Sequence, residues 1–462
     1  MASVVLDRKR KKRLEQGHPW IFQNEVERIE GEYEAGDLVN VATHQGQVLA
    51  TGYINPASQI VVRIVSYTSL ESMDRAFFVE RLQRCLEHRE RFVEGTNAYR
   101  LVFGEADFLP GLVVDRYADV LVVQILSLGM DRRREEIVGA LIDVLQPAGI
   151  YERSDVPVRK LEGLELRTGV LYGDCPRYVR IMENGLELEV DIVEGQKTGY
   201  FFDQRENRAS LSKLMLGWGK RSGVELREVE TEPEAGSRAA VRKAPFNTNG
   251  KEVTFPYWDG ATVLECFSHT GSFTLHACKY GAKKVTCLDI SEHAIDSARR
   301  NVQLNGFEDR VEFVVADAFD YLRQQVSGLE ERKSRGAGEQ TKKVDTSKPI
   351  GKQGRTWDVV ILDPPAFAKT KGAVEAACRG YKEINLSAMK LVNEGGYLVT
   401  ASCSYHVRPE LFLETIQAAA ADANKTVRLI EFKGAGKDHP HILGVDEGDY
   451  LKFAILQVHA RL

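Results

Sequence analysis

The sequence predicts an α/β protein in which a mostly parallel sheet follows a β-rich unit and a mixed α+β unit. From about residue 182 onward, apolar β-branched runs alternate with helical runs, which is typical of a parallel sheet with helices on both faces. The part before it lacks this alternation, because short strand-like runs come first and a helix with several strands comes next. We therefore predict three domains, at residues 1–68, 69–180 and 181–462.

The first domain is predicted from three short β-branched runs, DLVNVAT, QVLATGYI and IVVRIVS, which are separated by Gly, Asn, Pro and Gln. A basic run precedes them and contains Arg8, Lys9, Arg10, Lys11 and Lys12. Residues 1–66 hold 8 Lys or Arg and 8 Asp or Glu, so this run is a local patch on a neutral unit. On these residues alone the patch is either a solvated face or a contact for phosphate.

The middle domain combines helical and strand-like patterns. SMDRAFFVERLQRCLEHRERF has helical periodicity, and RLVFGEADFLPGLVVDRYADVLVVQIL reads as three strands broken at Pro110-Gly111 and Asp119. RRREEIVGALIDVLQP is an amphipathic helix that ends before Pro147.

The third domain supplies the alternating pattern. Its predicted strands are TVLECF, KKVTCLDI, RVEFVVADA, TWDVVILDPP, GGYLVTASC, TVRLIEF and DYLKFAILQV. Helices are predicted at SFTLHACKYG, at SEHAIDSARRNVQLNG with Ser291 as cap, at FDYLRQQV, between the fourth and fifth strands, and at RPELFLETIQAAAADAN. Residues 217–252 and 327–356 lack periodicity, so we expect exposed, mobile insertions there.

Composition limits the class of protein. The formal net charge is −5, so any nucleic-acid role must depend on local patches. No apolar run approaches ~20 residues, and the N-terminus lacks the apolar segment of a secretory signal. The 7 cysteines are scattered without a C-x-x-C pair, which favours free thiols in a reducing cytoplasm and no four-thiolate metal site. His439 and His441 are expected to be loop residues rather than metal ligands, so we predict no metal.

Acidic residues and a thiol follow the predicted strands, and ligands bind beyond the carboxyl ends of strands in open α/β sheets. They are Glu265, Asp289, Asp317, Asp363 and Cys403. Asp289 follows Gly271 by 18 residues, a spacing that suits an acid on ribose hydroxyls and allows a nicotinamide cofactor. However, the G-x-G-x-x-G fingerprint is absent, so a cofactor with ribose and adenine but no phosphates fits better. S-adenosylmethionine is such a cofactor.

Several motifs carry a resemblance to a known family. ILDPPAF, ACRGYKEIN, TASCS, KDHP and GQKTGYFFDQRENR resemble segments of the large-subunit ribosomal RNA cytosine-5 methyltransferases with an N-terminal PUA domain, the RlmI-like family. GHPWIF and LPGLVVDRY match that family too, so the resemblance covers nearly the whole chain except the two insertions. It implies a PUA RNA-binding module, a middle domain, and a Rossmann-like class I methyltransferase domain with a seven-stranded sheet. It also implies cytoplasmic action on ribosomal RNA and allows a homodimer.

The resemblance also implies roles for individual residues. Cys403 would add to carbon 6 of cytosine so that carbon 5 can accept the methyl group, and Asp363 would steady the protonated ring nitrogen or the exocyclic amine. Glu265 and Phe267 would flank the methionine portion of the cofactor, and the segment from Gln196 to Arg205 would close over it. The full set of expected cofactor residues is Gln196, Thr198, Phe201, Arg205, Glu265, Phe267, Thr270, Gly271, Asp289, Ile290, Asp317 and Ala318. Arg379 and Lys382 would contact RNA together with the basic run.

The same residues also allow alternatives. Glu265 stands where many family members have Asp, so its cofactor contact can differ. Cys378 is a second candidate thiol. Uridine carbon-5 methyltransferases also use D-P-P and a cysteine, but theirs typically reads S-C-N-P, whereas this chain has Ser402-Cys403-Ser404-Tyr405. A base-nitrogen methyltransferase, which needs no cysteine, and a catalytically silent RNA-binding assembly factor are the other readings.

Overall fold

The computed structural model describes residues 1–216, 225–230, 241–252, 260–334, 354–445 and 448–461. The chain divides into two compact units. The first contains Met1–Arg205 and Ala435–Asp449, and the second contains Glu206–Gly434 and Tyr450–Leu462. The predicted boundary between residues 180 and 181 lies inside a strand of the first unit, Tyr178–Glu183.

The N-terminal part of the first unit is a six-stranded sheet with the order β2-β6-β5-β4-β1-β3. Most residues of its strands β1, β5 and β6 are buried, and Val4, Val39, Val41, Ile54 and Val62 belong to its core. Short 3₁₀ turns lie at Leu14–Gln16 and Gln23–Glu25. The strands are β1 (Ser3–Leu6), β2 (Trp20–Phe22), β3 (Val26–Glu30), β4 (Leu38–Ala42), β5 (Val48–Ile54) and β6 (Ile60–Ser66).

A five-stranded sheet follows in the same unit, with the order β11-β10-β9-β8-β7. Its strands are β7 (Ala98–Phe103), β8 (Leu112–Tyr117), β9 (Val120–Ile125), β10 (Gly149–Ser154) and β11 (Arg167–Gly173). The helices are Arg75–Phe92, Leu128–Asp131, Arg134–Leu145 and Val158–Leu161, with 3₁₀ turns at Gly104–Asp107 and Phe202–Gln204. A hairpin of β12 (Tyr178–Glu183) and β13 (Leu186–Asp191) completes the set.

The helix Arg75–Phe92 shows how the sequence builds this layer. Asp74 caps it by accepting a hydrogen bond from the Phe77 amide at 3.0 Å. Phe78 and Leu82 recur at helical spacing on its buried face and pack into the core of the five-stranded sheet. The predicted helix and the three predicted strands of this region are therefore confirmed.

The second unit is built on a seven-stranded sheet with the order β18-β17-β16-β19-β20-β22-β21. All neighbouring strands are parallel except β22, which is antiparallel to both β20 and β21. This arrangement confirms the predicted α/β methyltransferase-type sheet. The strands are β16 (Thr262–Cys266), β17 (Lys284–Asp289), β18 (Val311–Val315), β19 (Trp357–Leu362), β20 (Val392–Ser402), β21 (Lys425–Lys433) and β22 (Lys452–Ala460).

Helices connect these strands and bury their apolar faces against the sheet. Leu322, Tyr381 and Phe412 pack with Val360 and Leu398 in one continuous core. Ser291 caps one helix by accepting a bond from the Ala294 amide at 3.3 Å, as its position in the sequence predicts. The helices are Arg205–Ser210, Ser212–Met215, Ser272–Lys279, Glu292–Leu304, Ala318–Ser334, Val374–Leu391 and Pro409–Asp422, with 3₁₀ turns at Glu308–Arg310 and Lys371–Ala373.

The two expected insertions contain regular secondary structure among the residues that the structure describes, and their expected mobility stays a prediction. Within residues 217–252, β14 (Glu225–Glu230) and β15 (Val241–Phe246) form an antiparallel hairpin. Within residues 327–356, the helix Ala318–Ser334 continues through the first eight residues. Apolar periodicity misses both because backbone ladders and solvated helical turns form without a regular apolar stripe. The rest of both predicted insertions is largely outside the described residues.

Candidate active site

The carboxyl ends of five parallel strands meet at one edge of the seven-stranded sheet. β16 ends at Cys266, β17 at Asp289, β18 at Val315, β19 at Leu362 and β20 at Ser402. Because the strands run parallel, the residues that follow them lie at the same edge. The predicted acids and Cys403 therefore lie at this one edge of the sheet, as the order of the strands in the sequence implied. We call this edge the strand-end rim.

The loop after β16 has an unusual backbone. Phe267 and His269 have φ values of 64° and 48°, although neither is glycine. Left-handed conformations at such residues cost energy and cluster at functional sites. Gly271, with φ 74°, begins the next helix, and a Cβ there would come within 2.9 Å of the Ala298 Cβ. The predicted cofactor residues Phe267 and Gly271 thus shape the loop, with Gly271 allowing close packing on a neighbouring helix.

Thr270 in this loop carries a buried hydroxyl group. Its side-chain oxygen is buried and has no hydrogen-bond partner among the described residues. A buried hydroxyl without a partner is costly unless a ligand or water satisfies it. The predicted cofactor role of Thr270 is consistent with this position.

Glu265 is buried at the end of β16. Its Oε2 accepts a hydrogen bond from the Thr274 amide at 2.8 Å and another from the Thr274 hydroxyl. Burial raises the pKa of Glu265 to about 8, the Thr274 hydrogen bonds oppose this, and the charges of Asp363 and Asp289 raise it further. The three acidic groups are therefore electrostatically coupled, and a cationic ligand group would favour the ionised form of Glu265.

Asp289 joins two loops of the rim. Its Oδ2 accepts from the His269 amide and its Oδ1 accepts from the Ser291 amide, each at 2.9 Å. Each carboxylate oxygen keeps a further lone pair that can accept from a hydroxyl. The next residue, Ile290, is 68% exposed, which is a large exposed fraction for an apolar side chain at a site edge. A carboxylate beside an apolar surface suits a ligand with hydroxyls and a flat ring.

Asp317 and Ala318 lie at the start of the helix that follows β18. Asp317 Oδ1 accepts from the Asp320 amide at 3.0 Å, so this carboxylate acts as a helix cap. Ala318 is buried and belongs to the core of the sheet. Their predicted contact with the adenine amine stays a prediction.

Cys403 follows β20 directly and contacts the loop after β19. Its Sγ lies 3.7 Å from the carbonyl oxygen of Pro364, the residue after Asp363. Both Cys403 and Asp363 are half-buried. The structure therefore places Cys403 against the loop that carries Asp363, and the catalytic roles of the two residues stay predictions. Cys378 lies instead within the helix Val374–Leu391 and packs against the core.

A buried polar network fixes the backbone on both sides of Cys403. Tyr381 accepts at its hydroxyl from Ser402 Oγ at 2.9 Å and is hydrogen-bonded to Ser404 Oγ at the same distance. Lys452, which is 1% exposed, donates from its Nζ to the Ser404 carbonyl and to the Tyr450 carbonyl, each at 2.7 Å. Buried hydrogen bonds to Ser402 and Ser404 thus hold the segment that carries the thiol.

Sequence reasoning missed Tyr381, Thr274 and Lys452. Tyr381 is part of the ACRGYKEIN motif, which was a usable signal for it. Lys452 opens an apolar strand, and its ladder partner Ser402 becomes evident only from the antiparallel pairing of β22 with β20.

The predicted cofactor segment from Gln196 to Arg205 belongs to the first compact unit. Thr198 is buried, donates to Asp115 and is hydrogen-bonded to the Tyr117 hydroxyl at 3.1 Å. Arg205 pairs with Asp438 at 2.9 Å and is also buried. Gln196 is exposed and Phe201 is half-buried beneath the Lys197 ammonium at 4.3 Å. Their cofactor contacts stay predictions, because these bonds place Thr198 and Arg205 in the framework of their own unit.

The predicted RNA-binding residues fall into two sets. Arg8, Lys9, Lys11 and Lys12 are exposed, whereas Arg10 pairs with Glu15. On the other unit, Arg379 pairs with Glu375 and Lys382 with Asp422, and all four are at least partly exposed. Exposed pairs contribute little to stability, so these cations can exchange partners for phosphate.

Two absences hold for the described part of the chain. It has no group of three or more His, Cys, Asp or Glu side chains that could hold a metal ion. None of its helices combines the length and the apolar character that crossing a bilayer requires.

Comparisons with known proteins match both parts of the chain. A family model described as a PUA-like domain matches residues 4–67, and one described as conserved hypothetical protein 95 matches residues 219–332. The structure resembles a protein from Streptococcus mutans described as a SAM-dependent methyltransferase, with 20% identity and a TM-score of 0.70 over 99% of this chain and 100% of that one. A methyltransferase structure complexed with SAH gives a TM-score of 0.71 at 20% identity over the same shares. These likenesses confirm the fold class.

Curated relatives match at higher identity. A ribosomal RNA large subunit methyltransferase I from Pseudoalteromonas translucida is 37% identical over 99% of this chain and 100% of its own length. The protein of the same name from Aliivibrio fischeri is 38% identical over 97% of this chain and 98% of its own. Identity at this level over the whole length includes the PUA-like sheet and the seven-stranded sheet alike. The chain therefore belongs to the ribosomal RNA large subunit methyltransferase I family.

Proposed function

We propose that this protein transfers a methyl group from S-adenosylmethionine to carbon 5 of a cytidine in large-subunit ribosomal RNA, through a covalent adduct on Cys403. The observation that carries the proposal is the contact between the Cys403 Sγ and the Pro364 carbonyl, 3.7 Å apart, at the rim of the sheet. It puts a thiol beside the D-P-P loop, next to the strand ends that hold Glu265 and Asp289. The family membership supplies the methyl transfer and the ribosomal RNA substrate.

The rim residues fit this cofactor. Asp289 would accept from the ribose hydroxyls, and the exposed Ile290 would cover one face of the adenine. The buried Thr270 hydroxyl would find a partner, and a ligand that carries positive charge would relieve the mutual repulsion of the acidic groups around Glu265. Bound S-adenosylmethionine supplies an electrophilic methyl group for carbon 5.

The chain's own residues would prepare the cytosine ring. The Cys403 thiolate forms a bond to carbon 6, which makes carbon 5 nucleophilic, and Asp363 hydrogen-bonds the ring nitrogen or the exocyclic amine. After carbon 5 is methylated, its proton leaves to a base, the carbon 5–carbon 6 double bond re-forms, and the sulfur departs as thiolate. The buried network around Ser402 and Ser404 keeps the thiol in one position throughout.

The N-terminal sheet would hold the RNA away from the chemistry. Its exposed cations, Arg8, Lys9, Lys11 and Lys12, form a patch on a unit without large net charge. Such a patch gives salt-dependent contacts to phosphate.

The test uses ribosomal RNA transcribed with 5-fluorocytidine, because fluorine on carbon 5 cannot leave as a cation. We expect a complex of protein and RNA that survives denaturing electrophoresis when S-adenosylmethionine is present. Cys403→Ala should abolish both this complex and turnover on normal RNA. Cys378→Ala is the matched control and should retain both, since Cys378 packs against the core.

Three outcomes would contradict the proposal. They are methylation by Cys403→Ala, an adduct that maps to Cys378, and an adduct with 5-fluorouridine in place of 5-fluorocytidine. The third would move the target to uridine while leaving the cysteine chemistry intact. Absence of any adduct despite methylation would point to a base-nitrogen target, and absence of S-adenosylhomocysteine binding would point to a catalytically silent RNA-binding protein.

A further inference from the structure

A small cavity lies in the first compact unit, whereas the strand-end rim belongs to the second. Its volume is about 120 Å³, which is room for a few water molecules or one flat ring and far below the ~300–1,000 Å³ of drug-sized sites. Its walls combine Trp20 of β2 with residues of the five-stranded sheet and of the segment Ala435–Asp449. The lining residues are Trp20, Phe103, Gly104, Glu105, Ala106, Val113, His441, Ile442, Val445 and Gly448.

Trp20 is held rigidly at this cavity. Its indole Nε1 donates to Glu105 Oε1 at 2.8 Å, and the Arg63 guanidinium lies 5.6 Å from the ring centre. Arg63 is itself buried and donates to Glu162 at 2.8 Å. A ring fixed by a hydrogen bond and a cation is a stacking surface that needs no ordering when a ligand arrives.

Arg13, which follows the basic run, contacts the aromatic residues beside this cavity. The guanidinium of Arg13 lies 4.7 Å from the Phe22 ring centre, and the Phe22 and Trp20 ring centres are 6.2 Å apart. The exposed cations Arg8, Lys9, Lys11 and Lys12 come immediately before Arg13 in the chain. A run of exposed cations therefore leads along the chain to Arg13 and, through Phe22, to an aromatic wall of the cavity, and single-stranded RNA complements such charges with its backbone and such rings with its bases.

The polar group in the cavity indicates which bases fit. Glu105 accepts from Trp20 and lies 3.7 Å from Arg63, and a carboxylate offers additional acceptor sites. Cytosine, adenine and guanine carry an exocyclic amino donor that a carboxylate can accept, whereas uracil does not.

We propose that this cavity receives one unstacked, amino-bearing base of the RNA substrate, at a position other than the methylated nucleotide. The inference depends on the proposed RNA substrate and adds a second recognition point to it. The base stacks on Trp20 or Phe103 and donates its amino group to Glu105, while the neighbouring phosphates meet the basic run. The site would thus contribute to the choice of RNA segment rather than to methyl transfer.

The experiment measures binding of fluorescently labelled ten-nucleotide oligocytidylate and oligouridylate to the full-length protein by anisotropy. Wild type should prefer oligocytidylate. Trp20→Ala should weaken oligocytidylate binding by roughly 5- to 100-fold, as expected for loss of one base–aromatic stack. Glu105→Gln should reduce the preference over oligouridylate. Tyr172→Ala, which removes an exposed ring from β11 in the same unit, is the control and should bind like wild type.

A variant that fills the cavity tests whether misfolding, rather than loss of the site, weakens RNA binding. Ala106→Phe adds volume at the cavity wall and keeps Trp20 and Glu105, so it should weaken oligocytidylate binding as Trp20→Ala does. Wild-type affinity in Ala106→Phe, or wild-type discrimination in Glu105→Gln, would overturn the site. The 5-fluorocytidine adduct and S-adenosylhomocysteine binding are measured in parallel. If both persist while the cavity variants bind RNA normally, or while wild type binds neither oligonucleotide, the cavity proposal alone fails. If wild type forms no adduct, the proposed function fails independently of the cavity.

Discussion

Lys452 is the residue whose position is hardest to explain by packing alone. It is 1% exposed at the start of β22, and both carbonyl oxygens that it contacts suit a donor-only ammonium. Burying such a group costs free energy unless hydrogen bonds and nearby charge compensate. One of its partners is the carbonyl of Ser404, the residue that follows Cys403 in the chain. A nearby cation favours a thiolate over a thiol.

We therefore expect Lys452→Met to slow carboxamidomethylation of Cys403 by iodoacetamide roughly tenfold at neutral pH, because one pKa step of the thiol is a tenfold change in thiolate. Mass spectrometry of peptides measures the rate at each cysteine. Cys175, which is half-buried in the other unit, is the internal control. If Lys452 acts through its charge, Lys452→Met should move the midpoint of the pH–rate profile for alkylation of Cys403 to higher pH. Equal midpoints in both proteins would leave Lys452 a purely structural residue.

At the level of elements, the seven-stranded sheet could be predicted because its strands and helices differ in period. Runs such as TWDVVILDPP are short and β-branched, and the helices between them carry apolar stripes and caps such as Ser291. The predicted strands also show where each strand ends. Asp289, Asp363 and Cys403 could therefore be assigned to one edge of the sheet from the sequence.

What the sequence could not provide was the pairing that depends on distant segments. The ladder between Ser402 and Lys452 requires β22 to reverse direction, and nothing in the local pattern specifies this. The hairpin of β14 and β15 was missed because it is rich in charged residues. The cavity beside Trp20 likewise joins residues from Trp20 to Gly448, which no spacing rule connects.

A prediction at the scale of elements concerns the basic run, which lies before β2 in the chain. Replacing Arg8, Lys9, Lys11 and Lys12 with Ala should weaken RNA binding and reduce its dependence on salt, since each lost phosphate contact lowers the slope by ~0.7 for single strands. Titrations of the same RNA at several salt concentrations measure this slope. The control replaces Lys279, Lys283 and Lys284, which are exposed in the second unit between the end of the helix Ser272–Lys279 and the start of β17, and should leave the slope unchanged. Equal slopes for wild type and the loop variant would assign the run to a solvated face.

At the scale of the whole molecule, the chain passes from the first unit to the second and then returns for one short segment. The chain leaves the first unit after Arg205, and it returns to that unit for Ala435–Asp449 between β21 and β22. This returning segment carries the KDHP motif, and Asp438 within it accepts from the Arg100 amide at 3.1 Å and from Arg205 at 2.9 Å. The Arg89 guanidinium donates to the Asp438 carbonyl at 3.0 Å. Two motifs that the sequence shows far apart, GQKTGYFFDQR and KDHP, are thus joined by one buried ion pair.

Asp438 should therefore anchor the returning segment. Burial would raise its pKa, but His439 and Arg205 outweigh burial and hold that pKa below the usual range. A lowered folded-state pKa means that this stabilisation is present above the ordinary aspartate pKa and is lost as pH falls below it. Asp438→Asn leaves Arg205 without its counter-charge, so at pH 7 we expect the free energy of opening around β7 and β8 to fall by ~3–5 kcal/mol. Hydrogen exchange of peptides from that region measures the opening, and the difference from wild type should shrink in acid. Asp143→Asn, which removes an exposed partner of Arg75, should change little, and an equal effect of the two substitutions would contradict the anchoring role.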